Sequence, residues 1–124
     1  MKLEQQVVSL ELAKRLKELG VKQNSAFWWQ ELQNGKGHLI IDTTDSFSHV
    51  CFSAFSVAEL GEMLPKKYFP SFDFLGSGKN KYRVICHVNT KKYGWHHEKK
   101  CADTEADARA KMLIYLLENK LIKS

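Results

Sequence analysis

Apolar residues recur at helical spacing near the start of the chain. In "SLELAKRLKELG" the leucines Leu12, Leu16 and Leu19 fall on one stripe, which predicts an amphipathic helix over 10–19. Gly20 follows directly, and glycine readily takes the left-handed conformation that ends many helices. We therefore expect a first helix that buries one face and stops at Gly20.

Two further segments have this spacing together with a clear start. In "SVAELGEML", Ser56 and Glu59 have the spacing of a capping box, which predicts the start of a helix. This helix should end near Leu64, because Pro65 disfavours helical geometry in the residue before it. In "DTEADARAKMLIYLLEN", Thr104 is the predicted N-cap, because its hydroxyl can accept a hydrogen bond from an amide of the first turn. The last helix has a row of apolar residues: Ala106, Ala110, Leu113 and Leu117. This row predicts that the helix belongs to the core.

Between the helices, several short segments are typical of strands: 25–32 is short and aromatic, and 82–89 alternates with a period of two. The predicted strands cover 25–32, 38–44, 82–89 and 95–101, and 49–55 is either a short strand or an extended connection. Asn34 and Gly35 predict a hairpin between the first two strands, because both residues tolerate positive φ. The strand over 82–89 has two distinct faces, one with Tyr82, Val84, Cys86 and Val88 and the other with Arg83, Ile85 and His87.

These elements predict a single α+β domain over residues 1–124. Its order is helix, hairpin, short helix, second hairpin and long C-terminal helix. We expect one antiparallel sheet of four to five strands, with the helices packed mainly on one face.

Charge is distributed unevenly along the chain. The 124 residues carry a formal net charge of +5, and residues 66–100 contain nine Lys or Arg residues but two acidic ones. No apolar run approaches the roughly 20 residues that cross a bilayer, and no signal peptide is recognisable. Three widely spaced cysteines make a poor disulfide framework. We therefore expect a cytoplasmic protein without a membrane segment.

The residues that could bind metals or act as nucleophiles do not form a recognisable motif. None of the paired Cys or His spacings of zinc sites occurs, so we predict no metal and no cofactor. Cys86 lies on the predicted apolar face of its strand, which disfavours a thiolate. Cys101 lies beside Lys100 and is the best candidate for a reactive thiol, but no third residue that would orient a catalytic base is recognisable. We predict no catalytic residues and no enzymatic activity.

The strongest functional signal is a mixture of lysines and aromatic residues. Lysines neutralise phosphates, and exposed aromatic rings stack on unpaired bases or anchor protein interfaces. The candidate residues for binding a protein or a nucleic acid are Lys91, Lys92, Tyr93, Trp95, Lys99 and Lys100. We expect the four lysines to lie together, with the two aromatic residues between them. The alternative interpretation is a sheet whose lysines only face solvent.

Three stretches, "SLELAKRLKELGVKQNSAFWW", "SAFSVAELGEMLP" and "DTEADARAKMLIYLLEN", resemble a family of small uncharacterised proteins of bacteriophages, prophages and bacterial genomes. Together they cover about half of the chain. The resemblance implies a phage or mobile-element context and an intracellular location. It assigns no activity and no catalytic residues.

Two functions are compatible with these patterns. The first is a non-enzymatic, phage-associated accessory protein that binds a host or phage protein. The alternative is a nucleic-acid-binding module that uses the basic aromatic stretch 66–100. A small enzyme acting through Cys101 or a histidine has the least support. The first two differ in the salt dependence of binding to nucleic acid, because phosphate contacts release counterions.

Overall fold

The computed structural model describes residues 2–41 and 51–123. These residues form an α+β fold in which short helices and strands alternate before a longer C-terminal helix. The elements in chain order are α1 (Leu3–Gln6), α2 (Leu10–Glu18), β1 (Phe27–Glu31), β2 (Gly37–Ile41), β3 (Cys51–Ser53), α3 (Val57–Met63), a 3-10 turn (Lys66–Tyr68), β4 (Ser71–Phe74), β5 (Tyr82–Thr90), β6 (Gly94–Ala102) and α4 (Glu105–Glu118). The parts of the predicted strands at 42–44 and 49–50 lie outside the described residues.

The described strands form two sheets. Both are antiparallel and three-stranded, with the orders β2-β1-β3 and β4-β5-β6. The α+β class is thus as expected, whereas the prediction of one sheet with four or five strands is not confirmed. The physical reason is that pairing is local: each sheet consists of a hairpin and one strand close to it in sequence, and α3 separates the two groups along the chain.

The helix ends follow the capping signals in the sequence. After α2, Gly20 takes a φ of 89°, and the Val21 amide donates to the Leu16 carbonyl at 3.1 Å, which is the Schellman closure. The capping box of α3 is present, with Ser56 and Glu59 each accepting from the other residue's amide. Each of these signals therefore acts as predicted.

Helix α4 is the central element of the core. It packs on β5 and β6 and also contacts α2 and α3, while α2 contacts β1 and β3 of the other sheet. Its N-terminal half carries small residues, which let the helix axis approach the sheet closely. Seven α4 side chains are buried: Ala106, Ala108, Ala110, Met112, Leu113, Ile114 and Leu116. The prediction that this helix is structural is confirmed.

Polar contacts fix the start of α4 against its neighbours. Thr104 caps the helix by accepting from the Asp107 amide at 3.2 Å. The Asp107 carboxylate in turn accepts from the Ser9 amide at 2.7 Å, which ties α4 to the start of α2. Burial raises the pKa of Asp107, and the hydrogen bonds from Ser9 act in the opposite direction. The N-termini of two helices are thereby held together.

Arg109 links α4 to α3 and β4. Its Nη1 donates to the Val57 carbonyl at 2.9 Å, and its guanidinium lies 4.0 Å from the centroid of the Phe72 ring. Gly61 of α3 leaves room for this side chain, because a Cβ there would overlap the guanidinium. The absence of a side chain at Gly61 thus leaves room for the Arg109 guanidinium against α3.

The first sheet is anchored to the core through a tryptophan. Trp29 of β1 is 9% exposed, and its Nε1 donates to the Val8 carbonyl at 2.6 Å. Its neighbour Trp28 is only half-buried, as the alternation of side chains along a strand requires. No helix within the described ranges is both long enough and apolar enough to span a bilayer.

Truncation of α4 should be costly. Leu116 is fully buried, so Leu116→Ala removes apolar contacts and leaves a cavity, and we expect a loss of about 2–5 kcal/mol in the free energy of unfolding. Lys36→Ala, at an exposed position of the β1–β2 turn, is the control and should change stability by less than about 0.5 kcal/mol. Urea denaturation measures both. Equal effects of the two substitutions would contradict a core role for α4.

Candidate binding surface

The two faces of the second sheet have different environments. On β5, Val84, Cys86 and Val88 are buried under the helices, whereas Arg83 and Ile85 lie on the opposite face and are only half-buried. This division agrees with the alternation in the sequence. Because α4 occupies one face, the other is left for a possible partner.

We call this opposite side the outer sheet face. By the strand register it comprises Ser71 and Asp73 of β4, Arg83, Ile85 and His87 of β5, and Trp95, His97, Lys99 and Cys101 of β6. A shallow depression of about 450 Å³ lies on it, and Phe69, Ser71, Ile85, His87, His97 and Lys99 line this depression. The surface is therefore concave as well as exposed.

Aromatic rings cluster on the outer sheet face, towards the turn between β5 and β6. The His87 ring lies 5.0 Å from the Trp95 ring and 4.8 Å from the His97 ring, measured between centroids. Trp95 itself is 64% exposed. Cross-strand pairing produces this group, because His97 lies directly opposite His87 and Trp95 occupies the next outward position on β6. The cluster presents a large aromatic area to solvent.

Phe69 extends the aromatic area beyond the strands. It is 75% exposed and has a φ of 51°, in the left-handed region that costs a bulky residue about 1–2 kcal/mol. The 3-10 turn before β4 holds this conformation through a hydrogen bond from the Phe69 amide to the Lys66 carbonyl at 3.0 Å. An exposed ring on a strained backbone is unusual for a purely structural residue.

The charges on the outer sheet face are partly neutralised. The Arg83 guanidinium donates to the Asp73 carboxylate at 2.7 Å. Lys99 is exposed, and no carboxylate partner for it occurs among the described residues. The face therefore combines an aromatic centre with one unpaired cation and one ion pair.

The predicted site residues divide among three places. Trp95 and Lys99 lie on the outer sheet face, and Lys91, Lys92 and Tyr93 form the turn between β5 and β6. In the turn, the Lys92 ammonium lies 5.1 Å from the centroid of the Tyr93 ring, which is 66% exposed. The turn residues also line a hollow of about 790 Å³ near the end of α4.

Lys100 lies on the helix side of the sheet. Its Nζ is 3.3 Å from Glu98 and 4.7 Å from the centroid of the Tyr115 ring. The expectation that all four lysines lie together is therefore wrong. Neighbouring residues on a strand point to opposite faces, so Lys99 and Lys100 cannot share one surface.

The candidate residues predicted from the sequence did not include Phe69, His87 and His97. The alternation on β5 already placed His87 opposite the buried face, but its contact with His97 depends on the register of β5 and β6. Phe69 belongs to the basic aromatic stretch 66–100, but its exposure follows from its left-handed backbone after the 3-10 turn.

A second cavity, also of about 450 Å³, lies between α3 and α4. Its apolar lining includes Phe55 and Leu113, which belong to the hydrophobic core. Glu59 at its edge already accepts hydrogen bonds from Ser25 and Ser56. The outer sheet face differs from this cavity in carrying the highly exposed rings of Trp95 and Phe69, and it is the surface that we take as the functional candidate.

The cysteines differ in environment. Burial raises the pKa of Cys86 to about 11, and it also raises the pKa of Cys51. Cys101 is half-buried on the outer sheet face. In residues 2–41 and 51–123, no group of three or more His, Cys, Asp or Glu side chains converges in a way that could hold a metal ion.

In comparisons with known proteins, no family model matches the chain, and no curated protein or solved structure is significantly similar to it. The candidate site is therefore defined by its own geometry.

The three thiols should react at different rates. At about pH 7 we expect N-ethylmaleimide to modify Cys101 first, because Cys51 and Cys86 are buried and remain protonated. Mass spectrometry of the native protein should show one adduct, which Cys101→Ser removes and Cys86→Ser retains. Modification of Cys86 at the rate of Cys101 would contradict this assignment.

Proposed function

We propose that this protein is a non-enzymatic accessory protein that binds another protein through the outer sheet face. The observation that carries the proposal is Trp95, a tryptophan that is 64% exposed and packs against His87 in an aromatic cluster. Tryptophan is among the residues most enriched at the energetic centres of protein interfaces. His87 in turn contacts His97, so three adjoining rings from two strands form one aromatic area.

The arrangement of the surface supports a protein partner. Interfaces typically have an aromatic or apolar centre and a polar rim. Here Trp95 of β6 and Ile85 of β5 supply the aromatic and apolar area, and the Arg83–Asp73 ion pair and Lys99 lie beside them. The exposed Phe69 widens the apolar area on the side of β4.

The phage context and the cytoplasmic location are part of the same proposal. They rest on the resemblance of both ends and the α3 region to small phage and prophage proteins. A host or phage protein is accordingly the partner that we propose.

Replacing Trp95 tests the proposal. The wild type and Trp95→Ala should be used as baits in lysates of phage-infected and uninfected bacteria. Each captured protein is then purified, and its affinity for the wild type and for Trp95→Ala is measured. We expect Trp95→Ala to weaken binding roughly thirtyfold, the effect of losing an interface residue worth about 2 kcal/mol.

Phe74→Ala is the matched control, because Phe74 is also an exposed aromatic residue but lies on the helix side of β4. It should leave affinity within about threefold. Equal losses for the two variants, or a partner that binds Trp95→Ala as well as it binds the wild type, would contradict the assignment of the outer sheet face.

Nucleic acid is the second candidate partner. One observation favours it: Lys91, Lys92 and Tyr93 form the turn before β6, and the Lys92 ammonium lies 5.1 Å from the centroid of the exposed Tyr93 ring, so cations adjoin an exposed ring. The engagement of Arg83 by Asp73 and of Lys100 by Glu98 argues against it, because fewer cations are free for phosphates.

Salt dependence distinguishes this candidate. If single-stranded DNA binds, the double substitution Lys91→Ala and Lys92→Ala should reduce the slope of log binding constant against log salt by about 1.4, or about 0.7 per lysine. Lys22→Ala with Lys36→Ala removes the same charge from exposed positions elsewhere and should leave the slope unchanged. Fluorescence anisotropy measures both. Absence of binding at low ionic strength would exclude nucleic acid.

A further inference from the structure

Strand β6 forms a long open edge of the second sheet. In the order β4-β5-β6, β5 is its sole strand neighbour among the described residues. Its nine residues pair with β5 in one continuous register, from Gly94 opposite Thr90 to Ala102 opposite Tyr82. In an antiparallel ladder, alternate residues of an edge strand direct both N–H and C=O away from the neighbour. About half of β6 therefore presents backbone groups without a strand partner.

The other edge of this sheet is better protected. Strand β4 has only four residues and directly follows Pro70, and both features discourage pairing with another chain. Strand β6 is more than twice as long and contains no proline. Lysines can also protect an edge, but Lys100 is engaged on the helix side by Glu98 and Tyr115.

Side-chain hydrogen bonds reach two carbonyls of β6, near its ends. Lys111 donates to the Cys101 carbonyl at 3.0 Å, and His96 lies 3.0 Å from the Gly94 carbonyl. The middle of the strand, from Trp95 to Lys100, is where a neighbouring strand could form a continuous ladder.

We propose that β6 binds an extended, acidic segment of the partner protein as an added strand. This inference rests on the proposed function and names the element of the partner that makes contact. Alternate side chains of the added strand would lie over the outer sheet face, beside Trp95, His97 and Lys99. Main-chain hydrogen bonds would supply affinity, and these three side chains would select the sequence.

Charge determines which segment fits. Lys99 is exposed and, within the described residues, has no carboxylate partner, so an acidic side chain opposite it is favoured. On the helix side, Glu98 is already bound by His96 at 3.1 Å and by Lys100 at 3.3 Å, so that side is close to neutral. The partner strand should therefore carry its acidic residues on the side of Lys99.

A second copy of this chain gains nothing from charge in two of its possible registers. A two-fold axis at Lys99 would place identical cations opposite each other, and an axis at Glu98 would do the same with carboxylates. Like charges directly opposite destabilise a sheet. The exposed Lys99 is the reason to propose a different, acidic chain, and pairing of two copies is one outcome of the test.

The experiment uses amide hydrogen exchange, measured by NMR on the full chain. In the free protein, alternate amides in the middle of β6 should exchange rapidly, while those bonded to β5 are protected. The probe is a soluble synthetic peptide of about ten residues that alternates Glu with Val or Thr. Its addition should protect the rapidly exchanging amides. N-methylation of the peptide at one set of alternate positions should abolish this protection, and methylation of the other set should not.

Charge selection is tested with two peptides and two variants. Replacing Glu by Lys in the peptide should weaken binding roughly tenfold or more. Lys99→Glu should reverse the preference between the two peptides. Lys36→Glu makes the same change of charge in the exposed turn between β1 and β2, in the other sheet, and should retain the preference for the acidic peptide.

Three results would overturn the inference. In the first, the acidic peptide fails to protect the β6 amides from exchange. In the second, both sets of N-methyl groups weaken peptide binding equally. In the third, the amides become protected when the protein concentration alone is raised, which would make a second copy of the chain the occupant. If a captured partner still depends on Trp95 while the β6 amides stay unprotected in its complex, the proposed function holds and strand addition fails.

Discussion

The close packing of α4 on β5 and β6 is the constraint on which the rest of the structure depends. Small residues at Ala106 and Ala110 bring the helix near the sheet, and Leu116 fills the space further along. Because α4 also contacts α2 and α3, it joins both halves of the core. The Asp107 contact to Ser9 and the Arg109 contact to Val57 orient it, so burial and polar contacts act together.

Local signals predicted α2, α3 and α4 well because each signal is satisfied by neighbours in sequence, whereas the short α1 was not predicted. The Schellman closure after α2 and the capping box of α3 involve residues within five positions of one another. The grouping of strands into two sheets could not be predicted from local signals, because it depends on which hydrophobic faces meet after folding. Alternation identifies a strand and its faces, but both one sheet and two sheets satisfy the same alternation.

The candidate surface was predictable in part, for a related reason. Trp95 and Lys99 share a face by their even spacing on one strand, and the sequence is sufficient to place them there. The approach of His87 to His97 depends on cross-strand register, which the turn between β5 and β6 sets. The exposure of Phe69 depends on a left-handed residue in a 3-10 turn, and no property of phenylalanine predicts that conformation.

Core and candidate surface are coupled through β6. The same strand that supplies Ala102 to the core and Glu98 to the helix side presents Trp95 and Lys99 to solvent. An edge strand held this firmly on one side loses little conformational entropy when a second strand pairs with its free edge, because its backbone is already extended. A flexible loop with the same side chains would have to be ordered on binding. Rigid attachment to α4 therefore makes β6 suitable for binding an extended segment, and the acidic character of that segment follows from Lys99.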